Sequence, residues 1–202
     1  LFVFWELAGL SSVFLIWAVV PFARTAVGTT VTVGVLYIVA VSSLSILSVL
    51  LAGWSSNNKY ALLGAFRAVA MLVSYEVPII LMLLIPVMLA GTMDVLQIVE
   101  QQGIWYVFMA PLATLIFFVA SHAEAARSPF DTLEGESEIV AGFHIEYSGM
   151  AFAMFYLAEF LHSFTVGALV ATFFLGGWRG PFAAEVPVLG VIYFFIKTFA
   201  VY

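Results

Sequence analysis

From Val31 to Gly53 the chain runs without one charged side chain, and comparable stretches recur along its length. About 20 apolar residues in a helix cross the roughly 30 Å hydrocarbon core of a bilayer. A chain of 202 residues cannot hide so much apolar surface in a core of its own. Composition agrees: 64% of residues are apolar and 9% charged, against about 25% charged in a soluble domain. In lipid, a long apolar segment must satisfy its backbone hydrogen bonds internally, so helices are the default. The alternating strands of a membrane barrel are absent from the sequence.

The expected fold is therefore all-α, a polytopic transmembrane helix bundle forming one membrane domain over 1–202. The apolar runs predict five complete spans, at about 1–23, 31–53, 61–90, 104–123 and 147–175, and the start of a sixth near 187. Short connectors at 25–30, 55–60, 91–103 and 176–187 carry the turn residues. Leu1 already lies inside an apolar run, and the last run stops at Tyr202, short of a full crossing. The sequence thus reads as part of a longer chain.

The third run is too long for its task. Its length predicts about 45 Å of helix against a core of about 30 Å, which leaves Arg67 at or beyond the interface. Pro78 and Pro86 fall in the remainder. They free the carbonyls of Ser74 and Met82, so a kink is expected. Lys59, Arg67 and Arg127 lie on one side of the expected bundle and Arg24 and Arg179 on the other. That excess leans towards a cytoplasmic location for the first group.

Several chemistries are excluded. Without cysteine the chain holds no disulfide, no thiolate-bound Fe–S cluster and no Cys-ligated zinc. A net charge of −6 with no basic patch argues against nucleic acid as a partner. The first segment has no basic leader and carries Glu6, unlike a signal peptide. There is no strand-bound dinucleotide fingerprint, no phosphate loop and no metal-ligand cluster in the sequence. Any electrons must arrive from elsewhere.

The ionisable residues inside the apolar runs are the candidates for chemistry, because burying a carboxylate at that depth costs several kcal/mol unless it is paired, hydrated or protonated. Glu76, two residues before Pro78, reads either as a protonated acid bonded to a freed carbonyl or as a proton-pathway carboxylate. Glu159 and His162 share one helical face, continued by Phe152, Phe155 and Tyr156. Such an aromatic stripe is commonly packing, but here it abuts two ionisable groups. His122 and His162 could in principle ligate a haem; that arrangement usually wants two such pairs, and the chain has three histidines. The stretch 124–146, EAARSPFDTLEGESEIVAGFHIE, holds six of the twelve acidic residues: Glu124, Asp131, Glu134, Glu136, Glu138 and Glu146. Acids near a helix N-terminus are ordinary. Six in one loop with Arg127 as its one base are expected to couple and to act as a proton reservoir.

Two strings carry a family resemblance: GWSSNNKYALLGAFRAVAMLVSYEV from Gly53 to Val77, and AEAARSPFDTLEGESEIVAGFHIEYSGMAFAMFYLAEF from Ala123 to Phe160. Together with FLGGW from Phe174 to Trp178, they resemble the quinone-site membrane subunit of respiratory complex I, the proton-translocating NADH:quinone oxidoreductase. The resemblance implies a subunit at the junction of the peripheral and membrane arms, in a bacterial cytoplasmic membrane with its acidic loop facing the cytoplasm. It implies a quinone, ubiquinone or menaquinone, as bound substrate. FMN and Fe–S clusters would sit in partner subunits: peripheral-arm subunits carrying the terminal cluster, beside small and antiporter-like membrane subunits. By position, Glu76, Glu124, Glu146 and Glu159 match the buried acids of the family's proton path, and His162 joins them through its place beside Glu159. Arg127, Asp131, Glu134, Glu136 and Glu138 match the chamber loop, and Phe152, Phe155 and Tyr156 match positions near the quinone. The sequence departs from the family pattern at Ala126, where Asn is usual, and at Thr132-Leu133, where Leu-Pro is usual. The family's first helix and its last ones fall outside the chain. Related subunits of ferredoxin-linked quinone reductases and membrane-bound hydrogenases are the nearest alternative, and a stand-alone proton or ion transporter the more distant one.

Overall fold

A computed structural model describes residues 2–125, 130, 146–180 and 187–202. All regular structure among the described residues is helical: α1 (Phe2–Trp17), α2 (Gly34–Ser55), α3 (Lys59–Ala90), α4 (Val95–Gln101), α5 (Tyr106–Met109), α6 (Pro111–Glu124), α7 (Met150–Phe173) and α8 (Pro187–Val201). Three of them, α2, α3 and α7, are long and apolar enough to cross a membrane. Helices α1, α6 and α8 are shorter, with apolar segments at Leu7–Trp17, Pro111–Glu124 and Val188–Val201.

The differences from the expected spans have local causes. Pro111 opens α6 at a position where its missing N–H costs nothing. The same ring disfavours helical backbone at Ala110, which sits at φ −134°, ψ 64°. The expected fourth span is thereby divided into α5 and α6. The first helix ends at Trp17, ahead of Pro21. Residues expected as a connector after Gly91 contain α4, capped by Asp94, whose carboxylate accepts a hydrogen bond from Leu96 N at 3.0 Å. Helix α3 continues unbroken through Pro78 and Pro86, the latter buried. It ends on Gly91 at φ 67°, the left-handed conformation that glycine adopts without strain.

Helices α1, α2, α3, α6 and α7 form a ring in which each packs on the next, and α8 lies outside on α7. Packing is uneven along the ring. Ile16, Val20, Ile38, Leu83, Val87, Ile98, Phe117, Phe173, Phe174 and Phe194 form one core at the end where α1, α3 and α7 finish and α2 begins. Towards the other end the burial thins. Met150 to Leu161 of α7 contain no fully buried residue, and neither does α3 between Leu72 and Leu83. Glu76 and Glu159 lie in those stretches.

Helix–helix contact in lipid depends on small residues that let backbones approach. A Cβ on Gly53 of α2 would fall 2.3 Å from Ala65 Cβ and 3.0 Å from Ala61 O of α3; one on Gly167 of α7 would meet Thr198 O of α8 at 2.9 Å. Gly53→Leu and Gly167→Leu are each expected to cost about 1–3 kcal/mol or more through overpacking. Gly103→Ala, where nothing lies within 4 Å, serves as the tolerated control. Thermal unfolding in detergent checks the order, and equal stability of all three variants would contradict it.

Candidate proton-carrying site

Glu124, expected as the first residue of the acidic loop, is instead the last residue of α6. Its side chain is 9% exposed and lies 3.8 Å from Nε2 of His162, itself 18% exposed. That separation is within ion-pair reach but too long for a hydrogen bond. Glu159 stands one turn away on the same helix as His162. The end of α6 thus approaches α7 at His162, one turn from Glu159. This contact spans two helices whose mutual packing is slight, next to the α3–α6 and α1–α7 seams.

Glu146 lies where the chain re-enters the described structure, and it is held from another quarter. Asn58 caps α3: its Oδ1 accepts from Tyr60 N at 3.0 Å, and its Nδ2 donates to Glu146 Oε1 at 2.8 Å. The cap fixes the orientation of the amide, so the face turned to Glu146 is a donor. Asn57, in the left-handed region at φ 49°, makes the turn that presents it. The neighbouring Tyr147 is buried, with its hydroxyl 3.5 Å from Ala52 O and its ring edge-on to Phe155 at 4.9 Å. Phe152 and Tyr156 pack on each other at 4.7 Å, and all three aromatics of the expected stripe are half-buried.

Glu76 occupies the thinly packed stretch of α3, where its Oε1 accepts a 2.6 Å hydrogen bond from Ser43 Oγ of α2. The ionisable candidates among the described residues thus take part in three contacts, Glu124–His162, Glu146–Asn58 and Glu76–Ser43. His122 turns elsewhere, its Nδ1 3.1 Å from Phe118 O and its ring on the Phe118 ring. Arg127, Asp131, Glu134, Glu136 and Glu138 lie outside the described residues.

The opposite end of the bundle gathers cations. Arg24 pairs with Glu100 at 3.0 Å, and Arg179 donates to the carbonyls of Glu100 and Gln102. The two arginines expected on one side thus meet at one residue. Lys197 donates to the carbonyls of Leu175, Gly177 and Arg179 at 2.8, 2.9 and 2.7 Å and sits over the Trp105 ring. Sequence reasoning does not single out Ser43, Asn58 or Lys197 as partners. Asn58 carries a capping signal, an Asn directly before an apolar helix; the contacts of Ser43 and Lys197 depend on which helices meet.

A helical bundle with three elements long and apolar enough to cross a bilayer defines a polytopic membrane protein. The family model for NADH dehydrogenase matches residues 1–202, and the chain belongs to that family. It is 45% identical over 202 residues to the H subunit of an NADH-quinone oxidoreductase from Dehalococcoides mccartyi, covering 99% of this chain and 56% of the relative. Proteins of the same name from Carboxydothermus hydrogenoformans and Geobacillus kaustophilus are 51% identical over 170 residues and 48% over 189. Those alignments cover 83% and 93% of this chain, and 48% and 56% of the relatives. The chain thus spans about half the length of the curated relatives it matches.

Asn58 gives a direct test of the site's local order. Asn58→Ala is expected to cost about 1 kcal/mol as a lost helix cap. Asn58→Asp keeps a capping oxygen but sets a second carboxylate against Glu146, so its stability deficit should appear at neutral pH and shrink in acid. Melting curves across pH check this; a deficit in Asn58→Asp that ignores pH would contradict the Glu146 contact.

Proposed function

We propose that this chain forms part of the quinone-site membrane subunit of a proton-translocating NADH:quinone oxidoreductase, supplying one wall of the quinone chamber and the first carboxylates of the coupling path. The observation that carries this reading is the 3.8 Å approach of Glu124, at the end of α6, to His162 of α7, which lies one helical turn from Glu159. The family membership and the names of the relatives support it. Helices α2, α3 and α7 each cross the bilayer, the 16-residue α1 extends through most of it at about 24 Å, and α5 with α6 together make a further crossing at about 28 Å. The polar half faces the cytoplasm of a bacterium, and the arginine-rich end faces outward.

Reducing a quinone consumes two electrons and two protons. The electrons come from an Fe–S cluster held by a peripheral-arm partner, upstream of which FMN accepts hydride from NADH. This chain contributes groups that respond to charge. Asp131, Glu134, Glu136 and Glu138, with the base Arg127 among them, are assigned to the chamber by their family positions. Phe152, Phe155 and Tyr156 bound the quinone's apolar body. Negative charge on the quinone, or protons drawn from the loop, changes the balance at Glu124 and Glu146.

His162 is suited to the next step because an imidazole can take a proton at one nitrogen and release one at the other. It stands between Glu124 and Glu159, so protonation of one acid disfavours protonation of its neighbour through the shared ring. Glu76 receives the perturbation on α3, on the far side of α6. Small and antiporter-like membrane subunits take it onward.

Glu159→Gln and Glu76→Gln in the assembled complex should each lower coupled turnover on the order of 10²-fold, the usual scale for a proton-transfer group. Asp131→Asn should alter quinone kinetics or inhibitor sensitivity. NADH:quinone activity and vesicle acidification measure both; unchanged pumping and reductase activity in Glu159→Gln and Glu76→Gln would overturn the pathway, and an indifferent Asp131→Asn would overturn the chamber assignment.

A further inference from the structure

The α2–α3 seam carries a polar contact that follows from the register of the two helices. Gly53 of α2 seats against Ala61 and Ala65 of α3. From there Ser43 lies about 15 Å back along α2, and Glu76 about 16 Å on along α3, which brings the two side by side. The hydroxyl–carboxyl distance is 2.6 Å, and both groups are half-buried.

Serines in apolar helices usually donate to their own helix, to a carbonyl three or four residues back. On α2, Ser42 donates to Val39 O at 2.8 Å, Ser45 to Ser42 O at 2.7 Å and Ser48 to Ser45 O at 2.7 Å. Ser43 has that acceptor as well, Val39 O at 3.1 Å, yet it also reaches Glu76. A hydroxyl has one proton and cannot donate to both oxygens at once. Two acceptors within reach of one donor make two arrangements available.

We infer that Ser43 is a positioning residue for Glu76 that serves both of its protonation states by reversing one hydrogen bond. With Glu76 ionised, Ser43 donates to Oε1. With Glu76 protonated, the carboxyl O–H donates to Ser43 Oγ, and the Ser43 proton turns to Val39 O. Ser43 keeps its own proton throughout; the carboxyl alone gains or loses one. In neither state is the hydroxyl or the facing carboxyl oxygen left without a partner, so the exchange proceeds without stranding a polar group in a place where stranding is costly. This rests on the reading of Glu76 as a group that changes protonation during turnover.

The test uses the whole assembled complex with Glu76→Gln, Ser43→Ala and Ser43→Thr. Infrared difference spectra of the oxidised and reduced complex identify the Glu76 carboxyl band as the one missing in Glu76→Gln. Ser43→Ala should displace that band and slow coupled proton transport about tenfold, the effect of losing one hydrogen bond to a charged group. Ser43→Thr, which restores the hydroxyl, should return both towards the parent values. If Glu76→Gln removes no band and leaves transport intact, the reading of Glu76 falls and this inference with it. If Glu76→Gln acts but Ser43→Ala matches the parent, or Ser43→Thr is damaged as much as Ser43→Ala, Ser43 is a packing residue and the inference alone is overturned.

Discussion

A backbone amide in hydrocarbon has no water to bond, and most of this architecture follows from that constraint. It makes each apolar run a helix, and it governs how helices stop. Ala110 and Pro111 break the chain where a proline ring forbids a continuous ladder. The turn after α7 presents carbonyls in need of donors, and Lys197 supplies them from α8; Arg179 of that turn does the same for the carbonyls at the end of α4. The same requirement explains the serines of α2, which bond back to their own helix and so cost little where they sit.

Apolar filling is concentrated at one end of the ring, and that asymmetry makes the other end available for charge. Around Phe117, Phe173 and Phe174 the helices interlock, with α4 packed against α3 and α7. Near Glu76 and Glu159 their own helices bury little completely. An ionisable group there is less enclosed by neighbouring side chains than one at the packed end would be. Partial contacts, such as the 3.8 Å approach of Glu124 to His162, belong to such a setting.

The long helices are legible in the sequence because apolar length is a nearly sufficient signal in a bilayer: α2, α3 and α7 fall close to the runs that announce them. Punctuation is legible in part. Asp94 before Val95 marks a helix start inside a stretch that reads as a connector, and Pro111 marks the break in the fourth run. The candidate acids stand out for the opposite reason, as charges in apolar surroundings. Their partners do not. The spacing of Glu159 and His162 follows from helical periodicity, but Glu124 reaches His162 only because α6 and α7 meet, and Ser43 reaches Glu76 only through the register set at Gly53. Tertiary placement converts isolated charges into a site, and no single segment encodes it.

If His162 carries the link between Glu124 and Glu159, removing its two nitrogens must loosen the coupling of proton movement to electron transfer. The quantity to determine is the number of protons translocated per electron by the assembled complex with His162→Phe, which keeps a ring and removes both nitrogens. That ratio should fall while the variant remains assembled and still passes electrons to quinone at a reduced rate. A ratio and a rate both equal to the parent's would show that His162 is not the link.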